Sequence, residues 1–215
     1  MSEQQWNDLW NQHIQLVPGW LNSWEGRKLM DLAEMAAELG PIVEIGMYKG
    51  RSTLCLTQGV RQAGKGHIWT IDLFEETYTF EGCPAPLPSL SQSQQTLVEH
   101  NARDLVTIIN GDSRHSSTAN RVPDAIAFLF IDGDHTFEAL SQEWETWSPK
   151  LRKDCLVAIH DYQNEVVGDG VTEFCDRVLR EQFLEVEVCT KFKTIPNSIP
   201  GGLFIGKGWN GENNL

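Results

Sequence analysis

Two periods alternate along the chain. Short runs of apolar and largely β-branched residues, "PIVEIG" (41–46), "HIWTID" (67–72), "LVTIIN" (105–110), "AIAFLFI" (125–131) and "CLVAIH" (155–160), have the length and composition of strands buried on both faces. Between and before them, apolar residues recur every three or four positions, the period of a helix with one buried face. One such helix starts near Ser23, carries Leu29, Leu32, Ala33 and Ala36, and stops at Gly40-Pro41. Others run from about Ser52 to Ala63 and near 91–101; a fourth turns Phe137, Leu140, Trp144 and Trp147 inward, and a fifth carries Val171, Phe174, Cys175 and Val178. Alternation of this kind predicts an α/β fold, a Rossmann-like three-layer sandwich with a parallel sheet between helices. The last apolar runs, "FLEVEVCT" (183–190) and "GGLFIG" (201–206), are joined by a Pro-containing stretch without helical period, which predicts an antiparallel hairpin at one edge.

Ahead of this pattern, Trp6, Trp10 and Ile14 fall at i, i+4 and i+8. Residues 1–40 therefore read as an N-terminal helical arm and 41–215 as the main domain, the whole forming one compact unit. The tryptophan face is either a packing surface or an interface, and as an interface it would support a homo-oligomer. The stretch "FEETYTFEGCPAPLPSL" (74–90) fits neither period. A loop this long inside a domain is usually functional, so it is expected to form a lid or substrate wall. Tyr48, Tyr78 and Phe80 are candidates to line an acceptor pocket.

Composition narrows the picture. The 215 residues, 40% hydrophobic and 22% charged, suit one globular domain. No run approaches the ~18 apolar residues that cross a bilayer, and "MSEQQWNDLWNQ" has no basic segment followed by an apolar one. No membrane association and a cytoplasmic location are expected. Five cysteines, Cys55, Cys83, Cys155, Cys175 and Cys189, form no CxxC pair and read as reduced, mostly structural thiols. A net charge of −13 opposes binding to the phosphates of a nucleic acid and leaves a small molecule as the expected partner.

In open parallel sheets ligands gather at the carboxyl ends of the strands, where the strand order reverses. The first such end reads "VEIGMYKGRST", with Glu44, Gly46 and Gly50. It is not the dinucleotide fingerprint, because Met47 and Tyr48 stand where the second glycine would admit a pyrophosphate. Glu44 would also repel a phosphate, so the turn suits a cationic or uncharged head. The second strand ends in Asp72, where a carboxylate can accept both hydroxyls of a ribose; the third supplies Asp112 and Ser113, available to a base.

The fourth strand ends at Asp132 and the fifth at His160-Asp161, so neighbouring strands bring carboxylates to one rim, within reach of one cation. Hard oxygen donors favour Mg²⁺, while an imidazole brings Mn²⁺ into range. His135, three residues beyond Asp132, can face the same rim and, with an ordinary pKa of about 6.5, take a hydroxyl proton near neutrality. Asp134 reads as a helix N-cap and His115 as a surface residue.

Together, "VEIGMYKGRST", "IDLF", "NGDS", "FLFIDGDHTFEAL" and "LVAIHDY" resemble the class I S-adenosylmethionine-dependent methyltransferases. The likeness is strongest to the branch holding macrocin O-methyltransferases and cephalosporin hydroxylase-like proteins, and it spans residues 19–206. It implies a seven-stranded, mostly parallel sheet with the last strand antiparallel. It also implies that Gly46 and its neighbours Glu44, Tyr48, Gly50 and Ser52 face the methionine part of the cofactor, with Asp132 close by, Asp72 facing the ribose, and Asp112 and Ser113 the adenine. In that branch an acidic residue and a following acidic pair hold a divalent metal, a set carried here by Asp132, His160 and Asp161, with His160 departing from the pattern. A His at the spacing of His135 is the general base there. The implied activity is metal-assisted O-methylation of a small hydroxylated acceptor, a sugar or natural product. The departure at His160 keeps open a non-catalytic, cofactor-binding partner or regulatory protein of the same fold, and a nicotinamide-dependent oxidoreductase is opposed by the missing glycine.

Overall fold

The computed structural model describes residues 1–74, 89–190 and 202–210. Its sheet is built from β1 (Ile42–Ile45), β2 (Ile68–Asp72), β3 (Val106–Asn110), β4 (Ile126–Ile131), β5 (Leu151–Ile159), β6 (Phe183–Thr190) and β7 (Gly202–Trp209). The strand order is β3-β2-β1-β4-β5-β7-β6. The pairs joining β1 to β5 are parallel, and β7 runs antiparallel to both β5 and β6. The expected hairpin is present, with β7 slotted between β5 and the edge strand β6.

Register decides where the strands stop. Ile45 lies level with Ile71 on one side and Ile131 on the other, and Ile131 is level with Ile159. The residues that follow, Gly46, Asp72, Asp132 and His160, therefore emerge side by side. Order reverses between β1 and β4, which places them at the switch point of the sheet.

The apolar runs feed two cores. Ile42, Ile68, Phe128, Phe130, Leu156 and Ile205 point to one face, under α1 (Glu3–Gln12), α2 (Ser23–Ala36), α3 (Arg51–Ala63) and α4 (Leu90–Glu99). Val43, Ile71, Leu129, Ile131, Val157 and Phe204 point to the other. That face is covered by α5 (Ser116–Ala119), α6 (Phe137–Trp147) and α7 (Gly170–Phe174), which continues as a π turn over Cys175–Leu179. Trp144 and Trp147 are fully buried here, so that aromatic face is core.

Several expectations need correction. β5 begins at Leu151, four residues ahead of the apolar run, because an irregularity between Ile126 and Phe128 lets Leu151 pair with Ile126. The intervening Arg152, Lys153 and Asp154 carry no strand signature. The N-cap of α6 is Thr136, whose hydroxyl accepts from the Ala139 amide at 3.2 Å, while Asp134 accepts from the Thr136 amide at 2.9 Å in the turn before it. Trp6, Trp10 and Ile14 are buried within the chain, and the Trp6 indole donates to Ser23 Oγ at 3.0 Å. The arm is a packing arm, and the aromatic face that would have supported a homo-oligomer is spent on α2 and α3. These helices approach so closely at Gly59 that a Cβ there would lie 2.3 Å from the Met30 carbonyl oxygen.

Cys55, Cys155, Cys175 and Cys189 are free thiols, and burial pushes Cys155 up to about 12. Among the described residues no helix is long and apolar enough to cross a membrane. Tyr78, Phe80, Cys83 and nearly all of the expected lid lie outside the described residues, as does the segment joining β6 to β7.

Candidate active site at the strand ends

The turn from β1 into α3 passes through positive φ at Gly46 (89°), Tyr48 (49°) and Gly50 (94°). Gly46 is dictated by its neighbour as well as its angle, since a Cβ there would sit 2.0 Å from the Asp132 carbonyl oxygen. Glycine thus lets the turn lie directly on the end of β4. From the side, Asp72 staples the turn. Its Oδ2 accepts from the Tyr48 amide at 2.8 Å and its Oδ1 from the Phe74 amide at 3.0 Å. Burial raises the Asp72 pKa, with these amides opposing the shift. Ser93 of α4 adds a hydroxyl to the Tyr48 carbonyl at 2.7 Å, and the Trp20 ring of the arm lies 5.0 Å from the Tyr48 ring.

Glu44 lies beneath this turn, wholly buried. Its oxygens accept from Ser52 and Thr53 at 2.6 Å and from Thr70 at 2.7 Å. Burial pushes its pKa up to about 7 against the pull of those three hydroxyls. Glu44 and Ser52, expected to face a ligand, instead brace the turn from below, because their polar atoms are satisfied by each other and by the strand. Arg51 follows the turn and donates to the carbonyls of Val17 (2.7 Å), Leu21 (3.0 Å) and Gln15 (3.1 Å), tying the arm to the start of α3.

At the end of β3, Asp112 is gripped by Arg114, whose guanidinium donates to both carboxylate oxygens at 2.9 and 2.7 Å. The Arg114 grip holds the Asp112 carboxyl low. Ser113 donates to Glu143 of α6 at 2.5 Å. Glu143 is buried, which lifts it to about 7. His115 is exposed, as expected.

The ends of β4 and β5 hold a cluster of carboxylates and imidazoles. His135 Nε2 lies 3.1 Å from Asp161 Oδ2 and 3.9 Å from Asp132 Oδ1. Asp161, at φ 59°, is fixed on its other oxygen by the Asn164 side-chain amide at 2.6 Å. His160 Nδ1 stands 3.1 Å from Asp132 Oδ1 and 3.3 Å from Asp161 Oδ2, and its Nε2 stands 3.5 Å from Glu25 Oε2 of α2. Burial alone would lower the pKa of His135, but its contacts with Asp132 and Asp161 outweigh it and hold the ring at about 9. His160 is raised in the same way, with Asp132 foremost among the opposing influences. Reciprocally, burial would raise Asp161 and Asp132, yet the two imidazoles hold both below the usual carboxylate range.

One donor atom each from Asp132, His135 and Asp161 lie within 4.8 Å of one another. Two hard oxygens and an imidazole at that separation fit a divalent cation such as Mg²⁺ or Mn²⁺. The expected ligand set of Asp132, His160 and Asp161 shares both carboxylates with this group, and His160 Nδ1 stands 3.1 and 3.3 Å from the same two oxygens. His160 is only 4% exposed and stands behind the carboxylates, while His135 reaches the rim. Sequence reasoning missed Glu25, Arg51, Arg114, Glu143 and Asn164. Only Glu25 carried a signal, as the acidic residue of a capping box with Asn22, and that signal speaks of a helix start and not of a site.

Similarities to known proteins agree with this layout. The chain resembles the O-methyltransferase from Bacillus cereus, solved in complex with SAH, at 15% identity and a TM-score of 0.65, covering 96% of this chain and 92% of that one. It resembles the O-methyltransferase TomG from Streptomyces achromogenes, involved in tomaymycin synthesis and solved with SAM, at 15% identity and a TM-score of 0.63, covering 97% and 91%. An rRNA methylase from Streptococcus thermophilus is similar at 17% identity and a TM-score of 0.61, covering 85% and 94%. At such identities the likeness establishes a shared fold. The family described as a methyltransferase domain matches residues 43–162, from β1 to just past Asp161 and more than half of the sequence. The chain with this cluster at its strand ends belongs to the methyltransferase-domain family.

Proposed function

We propose that the protein transfers the methyl group of S-adenosylmethionine to a hydroxyl oxygen of a small acceptor, a sugar or natural product, in the cytoplasm, with a divalent cation held by Asp132 and Asp161 at the rim and His135 beside it, free of the cation, as the base. The observation that carries this reading is the convergence of those side chains beside a glycine turn at the switch point. The backbone of Gly46, Tyr48 and Gly50 would hold the methionine part of the cofactor. Asp72 would accept the ribose hydroxyls on lone pairs left over from its bonds to the turn amides, and Asp112 and Ser113 would border the adenine. The carboxylate rim on a chain of charge −13 attracts a sulfonium and releases the neutral thioether product.

A cation held there by Asp132 and Asp161 would supply positive charge beside the acceptor hydroxyl. The chain's own residues orient the acceptor and move its proton. Without a cation His135 holds its proton at neutral pH, so its role as base belongs to the state in which Asp132 and Asp161 are engaged elsewhere. His135 then takes the hydroxyl proton, the oxygen forms its bond to the methyl carbon, and the carbon–sulfur bond breaks. Proximity and charge placement supply most of the acceleration. The O-methyltransferases among the similar structures favour an oxygen acceptor; an RNA acceptor, suggested by the similar rRNA methylase, is disfavoured by the charge of the chain.

The test is turnover of labelled S-adenosylmethionine against a panel of hydroxylated acceptors, with EDTA and with Mg²⁺ or Mn²⁺ restored. Transfer that needs the cation and falls at least about a hundredfold in Asp132→Ala is expected. Cofactor binding without transfer under every condition would reject the enzyme reading in favour of a non-catalytic partner, a reading that the two proton-holding imidazoles make specific.

A further inference from the structure

The described residues hold one further carboxylate that reaches the acid–imidazole cluster, and it comes from the arm. Glu25 is 1% exposed and His160 4% exposed. Glu25 Oε2 accepts from the Asn22 backbone amide at 3.0 Å, completing the cap of α2, and also lies 3.5 Å from His160 Nε2. The opposite nitrogen of the same ring faces Asp132 and Asp161 at 3.1 and 3.3 Å. The edge of the ring system is set against Phe130, with centroids 6.4 Å apart and planes at 77°. Neither nitrogen completes a hydrogen bond, but a carboxylate stands within ion-pair distance of each, and only one orientation of the ring keeps both contacts. Rotating it by half a turn would put carbon atoms where the nitrogens now stand.

We infer that Glu25 is a positioning residue for the transfer site: through His160 it fixes the directions in which Asp132 and Asp161 present their oxygens to the rim. The inference rests on the proposed function, in which those oxygens engage a divalent cation, and extends it to a side chain outside the region matched by the family. Partners behind ligating groups commonly set metal affinity because they fix ligand direction. A carboxylate facing His160 offers acceptors alone and favours the orientation that turns Nε2 toward it, whereas a glutamine amide offers an acceptor or a donor and no longer selects one ring orientation. Capping of α2 alone would give Glu25 no reason to be aimed at His160.

The full-length wild type, Glu25→Gln and Asn22→Ala should be titrated with Mn²⁺ by electron paramagnetic resonance, with two-bond ¹H–¹⁵N imidazole spectra recorded in parallel. Glu25→Gln is expected to move the His160 signals and weaken Mn²⁺ binding about tenfold. Asn22→Ala, which removes the side-chain cap and leaves Glu25 against His160, is expected to match wild type in both. Wild-type His160 signals in Glu25→Gln, or equal losses in Asn22→Ala, would overturn the inference. Should Glu25→Gln fail to fold, Glu25→Asp, which keeps the carboxyl group and withdraws it by one methylene, must move the same signals; unchanged signals there overturn it too. A wild type that takes up no Mn²⁺ would remove the metal from the proposed function, while the His160 signals would still decide the role of Glu25.

Discussion

At the scale of single residues, the site is governed by contacts that leave no room for alternatives. Gly46→Ala puts a methyl group into the Asp132 carbonyl, 2.0 Å away, at a φ of 89°. Both effects destabilise, and a loss of about 3 kcal/mol or more in urea unfolding is expected; a cost under about 1 kcal/mol would show that the turn and β4 separate easily. Glu44 gives a pH signature. It titrates near 7 when folded against an ordinary 4.5, so between those values the unfolded chain has lost a proton that the folded chain keeps. Stability then falls as pH rises through that window and the full cost, about 3 kcal/mol at most, is in place above it. Glu44→Gln lacks this slope. The stability difference, wild type minus variant, is expected to shrink between pH 4.5 and 7.5, and parallel curves would show that Glu44 ionises freely in the fold.

At the scale of elements, the arm and the glycine turn behave as one body because Arg51 at the head of α3 bonds three carbonyls of residues 15–21. The guanidinium spreads these bonds over three separate nitrogens, whereas an ammonium concentrates its donors on one. Arg51→Lys is expected to speed amide hydrogen exchange in residues 14–21 by at least about tenfold, corresponding to about 1.4 kcal/mol of local opening energy, with β1 and β4 unchanged. Exchange rising equally in all three would mean that the arm has no local opening of its own. The strands and helices themselves were legible, since runs such as 125–131 and the spacing of Phe137, Leu140, Trp144 and Trp147 reflect burial that recurs along the chain. The start of β5 was not, because Arg152, Lys153 and Asp154 join the sheet through backbone pairing that their side chains do not advertise. Asp134 was misassigned as the cap because it and Thr136 are both good capping residues two positions apart, and only the backbone decides between them.

At the scale of the whole molecule, the strand-end residues could be found without coordinates because parallel register carries them to one rim. Which atoms face outward could not. Glu44 looked like a cofactor contact and is a brace; His160, read as a metal ligand, meets both carboxylates from a deeper position than His135. Those distinctions depend on Ser52, Thr70 and Glu25, each brought in by a different element, and chain spacing carries no record of such meetings. The aromatic arm illustrates the same limit, since its periodicity was correct while the surface receiving it could be seen only after folding.

The start of α2 has a consequence for how such a chain can change over generations. Residues 1–40 lie wholly outside the region matched by the family, and sequences there would ordinarily drift. With Glu25 in the positioning role inferred above and carbonyls of the arm held by Arg51, that stretch would answer to the chemistry, and substitutions in the arm are expected to be filtered by activity as well as by folding. A lineage that exchanged its arm for another would inherit a different foundation under the same strand ends.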